Sequence, residues 1–438
     1  MRLEFFTSNL FFLLFSVLID LVHPQQLRYN KGLSKDVTNL LDSLLREDKY
    51  DKRFRPHFGG PAVKIEVNMY IKSMGPVSET DETYSMDCYF RQIWVDNRLK
   101  FNRSQGGLKE FSMNWLFLER VWKPDTYFVN GKRSYLHSIT VPNKFLRLRD
   151  DGKLTYSMRL TVKAKCPMHL RKFPLDSQSC PLEIGSYGYG DLDVLYAWAP
   201  GKSPPVQTEA GVNLAQYDLV DITTKEEIRM SSRRDNFSVV TVHFNLKRHT
   251  GYFMLQVYVP CTLIVSCSWV SFWIDPQAVP ARVSLGVTTV LSMTTLGFGG
   301  RSQMPRTSYA TALDWFVILC FAFVFASMVE YAAINFMDKM MKDIAAKAKT
   351  KKKLNRQESE TLVSWVERLY HGLLEWFESQ LKDPWNLQKK PGSKFSTVDI
   401  YSRKIFPLSF AIINTIYWTS FMYYVGDEDD SEPASVHH

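Results

Sequence analysis

The sequence predicts an extracellular all-β sandwich domain followed by a four-helix transmembrane bundle. Three observations carry this reading. Apolar runs lie at 251–274, 309–336 and 405–424, with a less apolar run at 280–298. Each of the three longer runs reaches the roughly 20 residues a membrane helix needs. From residue 23 to residue 250 there is no such run, and short alternating segments take its place. The overall 45% hydrophobic and 23% charged residues therefore average two unlike halves. A plain cytosolic enzyme, a collagen, a mucin and a coiled coil are all excluded.

Taken in order, residues 1–24 read as a signal peptide, with Arg2 ahead of the apolar stretch 10–18 and polar residues from Pro24 onward. Residues 25–250 are then extracellular. Asp36 to Glu47 carries Leu40, Leu41, Leu44 and Leu45 at helical spacing, which predicts a short amphipathic helix. Alternation in Val63–Ile71 and Leu154–Val162, with Pro, Gly, Asn and Asp between segments, predicts the sandwich. Asn102 and Asn236 open glycosylation sequons. Cys166 and Cys180 enclose 13 residues in a compartment that favours oxidation. Cys88 is left as a buried free thiol. Cys261, Cys267 and Cys320 fall inside spans and are expected to pack.

The spans are 251–274, 280–300, 309–336 and 405–424. Tyr401, Tyr417, Trp418, Tyr423 and Tyr424 flank or end the fourth as an interfacial aromatic belt. The second is rich in hydroxyls, and Ser284, Thr288, Leu291 and Thr295 share one face at spacings of 4, 3 and 4. That face suits either a water-filled pore or a helix buried among others. Residues 337–404 hold 15 Lys/Arg against 9 Asp/Glu, two thirds of the chain's +9 net charge. Between apolar runs, such a cluster marks a cytoplasmic segment rather than a nucleic-acid patch. The tail 425–438 then lies outside.

The segment Cys166–Cys180, centred on Phe173-Pro174-Leu175-Asp176, resembles the signature of the Cys-loop pentameric ligand-gated ion channels. So do Trp94, Asp96–Leu99, Trp122–Tyr127, Leu246–Tyr252 and Pro280–Thr295. Within that family the chain is similar to GABA type A receptor subunits. Pro56, Gly185–Tyr189 and Tyr309–Trp315 lean to the alpha type. The resemblance implies a pentameric channel passing chloride at the postsynaptic plasma membrane. Its expected partners are GABA, beta-type subunits and membrane lipid. The amphipathic stretches near Leu362 and Leu373 also suit a cytoplasmic scaffold protein. No nucleophile–base set or metal cluster appears, so neither an enzyme nor a cofactor is expected.

The resemblance also assigns residues. Ala281, Arg282, Ser284, Thr288, Leu291 and Thr295 become pore residues, with Leu291 closing the pore by dewetting. Five helix N-termini, each worth about +0.5 charge, would favour anions at the inner mouth. No acid occurs from Pro276 to Ala312. Arg282 receives less weight than this absence, because it could be buried in ion pairs.

The agonist of this family sits between two subunits. Tyr89, Arg91, Ser157 and Arg159 match the complementary face, Arg91 and Ser157 as partners of a carboxylate. The alternative for both arginines is a strand salt bridge. Tyr127, Tyr187 and Phe237 match the principal face less well. Gly185 replaces a beta-type Glu, Phe237 lacks a cage hydroxyl, and Arg233 and Arg234 would repel an ammonium. The expectation is a subunit that lends its complementary face. A channel gated by another amine or amino acid, and a non-conducting accessory subunit, remain as alternatives. For transmission, the 173–176 tip and Arg248 should face the loop around Met304–Arg306.

Overall fold

The structure is a computed structural model describing residues 31–46, 48–102, 109–113, 115–212, 214–230, 236–275, 277–301, 307–352 and 397–424. The signal peptide, Arg233–Arg234, Met304–Arg306, the stretches near Leu362 and Leu373 and the tail lie outside the described residues.

Helix α1 (Lys31–Leu44) docks through Leu40, and Leu45 just beyond it is also buried. Twelve strands follow, β1 (Val63–Ser78), β2 (Thr83–Val95), β3 (Glu110–Met113), β4 (Thr126–Phe128), β5 (Gly131–Leu136), β6 (Lys144–Arg149), β7 (Lys153–Lys165), β8 (Ser177–Ser186), β9 (Val194–Trp198), β10 (Val206–Thr208), β11 (Tyr217–Met230) and β12 (Asn236–Arg248). One sheet runs β10-β1-β2-β7-β6-β3, with β5 also on β7 and β9 also on β1. The other runs β11-β12-β8-β4. Alternation explains both. In β2, Cys88, Phe90, Gln92 and Trp94 turn inward, while Tyr89, Arg91 and Ile93 face out. Val240, Val242 and Phe244 of β12 close the core from the opposite sheet.

Cys166 and Cys180 form the disulfide. Cys88 is buried and free. Burial, and secondarily the Asp87 charge, push its thiol up to about 12. A water-soluble thiosulfonate at pH 8 is therefore expected to leave Cys88 unmodified in the folded domain and to label it on unfolding. Mass spectrometry of the peptide carrying Cys88 checks this.

Helix α2 (Gly251–Trp273) has a π-helical segment at Met254–Tyr258, just ahead of Pro260. Proline offers no N–H for a helical bond, and the wider turn absorbs the gap. Then come α3 (Val279–Arg301), α4 (Ala312–Lys352) and α5 (Thr397–Thr419, prolonged by a π turn to Tyr424). By length and composition, Gly251–Trp273, Ala312–Met340 and Val398–Tyr423 can each cross a membrane. Helix α3 spans 23 residues, about 35 Å at 1.5 Å per residue, with hydroxyls in place of part of the apolar surface.

Three expectations change here. Helix α5 begins at Thr397 rather than 405, because Asp399, Ser402 and Arg403 bond to neighbouring helices instead of water. Tyr417 is buried, not interfacial; its hydroxyl donates to Ala312 O at 2.9 Å and meets Tyr258 Oη at 3.0 Å. Cys267 faces outward, whereas Cys261 and Cys320 are buried.

Helix α3 continues through Gly297, Gly299 and Gly300 to Arg301. Gly297 has a packing reason, since a Cβ there would stand 3.2 Å from Val317 Cγ1 on α4. At Gly299 a Cβ would meet nothing within 4 Å. Gly299→Ala should therefore stabilise this end by about 1 kcal/mol. Amide exchange over 297–301 is expected to slow roughly fivefold, as read by mass spectrometry.

Candidate functional site

Strand register assembles the first candidate face. Tyr89 lies opposite Arg159, and Arg91 opposite Ser157. Directly opposed residues share a side of the sheet, so all four stand on the outer face of β2 and β7. Tyr70 and Asn68 of β1 continue the row beyond Tyr89 and Arg91, and Phe145 of β6 lies opposite Ser157. The Tyr70 and Tyr89 rings are 6.3 Å apart. Arg91 is exposed, and Ser157 is buried between its neighbours. An exposed guanidinium beside a hydroxyl, walled by rings, can take a small carboxylate.

Arg159 differs from Arg91. Its Nη2 donates to Asp87 Oδ2 at 2.6 Å and its Nε to Oδ1 at 3.3 Å. The bond to Asp87 raises its pKa further. Asp87 also stands 3.6 Å from His137 Nε2. Of the two arginines, Arg159 forms the strand salt bridge that the sequence left open as an alternative. Tyr70, Phe145 and Asp87 were not anticipated; alternation within 144–149 was the available signal for Phe145.

The second face lies on the other sheet. Tyr127 opposes Gly185, which in turn opposes Val239, two residues from Phe237. The Tyr127 and Tyr187 rings meet edge to face at 5.5 Å, and Tyr187 is 78% exposed. Strand pairing thus puts Tyr127 and Phe237 on one surface, with Tyr187 at its edge. Two carboxylates of the same sheet are committed to Arg229. Glu183 Oε2 accepts from Arg229 Nη1 at 2.6 Å, and Glu227 Oε1 from Arg229 Nη2 at 3.1 Å. Glu227 is held below its usual range chiefly by that hydrogen bond. At Gly185 a Cβ would stand 3.3 Å from Ser238 O and 3.4 Å from Val239 Cγ2. A side chain there must push β12 aside by a few tenths of an ångström. Asn236 is the first residue of β12, opposite Met230.

The third candidate is the exposed stripe of α3. Ala281, Ser284, Thr288, Leu291 and Thr295 all face out of the subunit, Leu291 being 61% exposed. Thr288 Oγ1 donates to Ser284 O at 2.7 Å, and Thr295 Oγ1 to Ser292 O at 2.9 Å. Bonding back to the helix in this way lets hydroxyls sit on an otherwise apolar span. Among residues 277–301 there is no carboxylate.

Arg282 does not belong to that stripe, and its assignment to the pore is corrected. The residue is 2% exposed and turned into the bundle. Its Nη1 and Nη2 donate to Asp399 Oδ1 and Oδ2 at 3.0 and 3.2 Å. Its Nε donates to Ile274 O at 3.1 Å. A buried guanidinium needs such a full set of acceptors. Asp399 was missed from sequence; a lone acid just ahead of the fourth apolar run was the only signal.

At the base of the sandwich, the disulfide loop reaches the membrane helices. Ala312 N donates to Arg171 O at 2.9 Å and Leu313 N to Phe173 O at 3.2 Å. The loop thereby satisfies two N–H groups that the start of α4 leaves unpaired. Leu170 N donates to Tyr309 Oη at 2.9 Å, and the Phe173 and Phe253 rings are 4.8 Å apart. The described contacts of the tip are thus with α2 and the start of α4. Arg248, directly above, is sandwiched between the Phe173 and Tyr217 rings at 4.6 and 4.5 Å.

Two family models match the chain. The neurotransmitter-gated ion-channel ligand binding domain covers residues 37–250, and the neurotransmitter-gated ion-channel transmembrane region covers 257–369. Gamma-aminobutyric acid receptor alpha-2 subunits of Homo sapiens, Mus musculus and Bos taurus are each 40% identical over 407 residues, 88% of this chain and 88% of the relative. By both family models and these relatives, the chain belongs to the neurotransmitter-gated ion channels and, within them, to the family of gamma-aminobutyric acid receptor subunits.

Proposed function

We propose that this chain is a subunit of a GABA-gated chloride channel of the postsynaptic membrane and that it lends the complementary face of the agonist site. The observation that carries the reading is the outer row of β2 and β7. There the exposed Arg91 stands opposite Ser157 and next to the Tyr89 and Tyr70 rings. Arg91 takes the carboxylate of GABA, Ser157 adds a hydroxyl, and Tyr89 walls the site. The principal face comes from a beta-type partner. In this chain Gly185 offers no carboxylate, and Glu183 and Glu227 are occupied by Arg229.

The pore role of α3 rests on its exposed Ser284, Thr288, Leu291 and Thr295, and on the absence of acids among residues 277–301. Chloride meets the positive ends of the α3 helices rather than a ring of arginines. Agonist binding shifts the population between closed and open states by its differential affinity for them. Signal peptide 1–24, cytoplasmic segment 337–404 and extracellular tail 425–438 complete the proposed topology. Membrane lipid and a scaffold protein are its proposed partners at the inner face.

Expression in oocytes, alone and with a beta-type subunit, tests this. Current under GABA only with the partner, reversing at the chloride potential, is expected. Robust GABA current from the chain alone overturns the complementary-face assignment. Surface protein with no current in either case overturns the GABA assignment in favour of another agonist or an accessory role.

A further inference from the structure

The base of α3 carries an arginine that its position would otherwise offer to the pore. Ala281 is exposed on the proposed pore stripe, and Val283 is 41% exposed. Between them, Arg282 is buried. Its guanidinium makes a two-pronged bond to Asp399, itself 0% exposed, across 117 residues of sequence. Nη2 also donates to Ile274 O at 2.5 Å, and the guanidinium lies 5.3 Å from the centre of the Tyr331 ring. Asp399 lies in the first turn of α5, where the helix dipole favours a carboxylate.

Resting on the channel reading above, we propose that Asp399 of the fourth membrane helix is a positioning residue that holds the charge of Arg282 out of the ion path. Arginine cannot shed its proton in a protein. A buried ion pair is also no strong source of stability, because apolar residues of similar volume often serve as well. Its specific effect here is to neutralise one positive charge beside each pore stripe and fix where it points. Without Asp399 the guanidinium keeps Ile274 O but loses its counter-charge. Turning toward water then becomes the favourable arrangement, and the adjacent Ala281 is exposed on the proposed pore stripe. A positive charge at that mouth concentrates chloride on the inner side.

Two more links support a role for this end of α5. Ser402 Oγ donates to Glu330 Oε1 of α4 at 2.8 Å, and Arg403 Nε donates to Phe272 O of α2 at 3.0 Å. The first two turns of α5 thus hold each of the other three membrane helices. The pair Arg282–Asp399 is the link that reaches the pore helix.

Single-channel recording from the full chain with a beta-type subunit tests the proposal. Asp399→Asn should raise the unitary current of chloride leaving the cell about twofold, through the added charge at the mouth. Adding Arg282→Gln should return it to the wild-type value. The double variant Arg282→Gln/Asp399→Asn should keep the wild-type chloride-to-sodium permeability ratio, since it removes a charge the ions do not meet. Asp399→Glu should behave as wild type. A wild-type current–voltage curve for Asp399→Asn overturns the proposal, and so does a loss of anion preference in the double variant. If Asp399→Asn fails to reach the surface, the double variant still decides, because it leaves no charge unpaired. A loss of expression alone, with unchanged unitary currents, would mark the pair as merely structural. All variants are also recorded in a Leu291→Ser background, where a polar constriction wets and opens without agonist. Absence of GABA current in the parent chain then counts against the agonist assignment only.

Discussion

Replacing Arg91 by alanine should raise the GABA concentration for half-maximal current by about 10- to 100-fold in receptors containing a beta-type partner. A hydrogen bond to a charged group is worth about 1.5–3 kcal/mol, and each 1.4 kcal/mol is tenfold. Arg91 is exposed and stands on the outer row opposite Ser157. Among the described residues Arg91 has no ion pair, so a ligand carboxylate finds a guanidinium with no such pair to break first. Arg91→Lys should recover only part of the loss, because an ammonium offers a point charge rather than a planar fork. Concentration–response curves check both variants, with maximal current largely kept.

Arg159→Ala should shift the same curve much less. Its guanidinium is committed to Asp87 at 2.6 Å, and both side chains are partly exposed, 32% and 16%. Pairs of this kind are worth at most about 1 kcal/mol. Equal shifts for Arg91→Ala and Arg159→Ala would show that both reach the agonist and that the Asp87 bond yields on binding.

Strand alternation was legible without coordinates, because burial on one face repeats every second residue. The grouping of Tyr89, Arg91, Ser157 and Arg159 rests on the family resemblance, and the register that sets them on one face comes from the structure. Side-chain commitments were not legible. Nothing in the order of residues says that Asp87 belongs to Arg159 or Glu183 to Arg229; both depend on neighbouring strands at large sequence separation. The membrane half shows the same divide. Apolar runs located the helices, but polar residues buried between helices blurred their ends. Helix α5 starts eight residues before its apolar run because Asp399, Ser402 and Arg403 find partners on α2, α3 and α4. The same bonds explain why Arg282, adjacent in sequence to the exposed stripe of α3, lies outside it.

Arg248→Ala should abolish surface receptor, or leave a receptor in which agonist binds without opening the pore. Arg248 Nε donates to Asp176 Oδ1 at 2.7 Å and Nη1 to Glu79 Oε1 at 2.5 Å. The side chains of Arg248 and Asp176 are 1% and 2% exposed, and that of Glu79 is 17% exposed. Alanine would strand the buried Asp176 beside a second carboxylate, at a cost of about 3–5 kcal/mol. It would also empty the space between the Phe173 and Tyr217 rings. Phe173 is the residue whose carbonyl accepts from Leu313 N at the start of α4. Disturbing its ring therefore disturbs the described junction between sandwich and membrane helices. Asp176→Asn makes a milder test, since its amide keeps an acceptor for Arg248 while Glu79 retains the counter-charge. Surface labelling separates folding from gating, and the ratio of maximal current to surface protein reads the coupling. A normal ratio in both variants would show that this network holds the fold but does not transmit the signal. A normal amount of surface protein with a maximal current reduced tenfold or more would place Arg248 in the path from the agonist to α4.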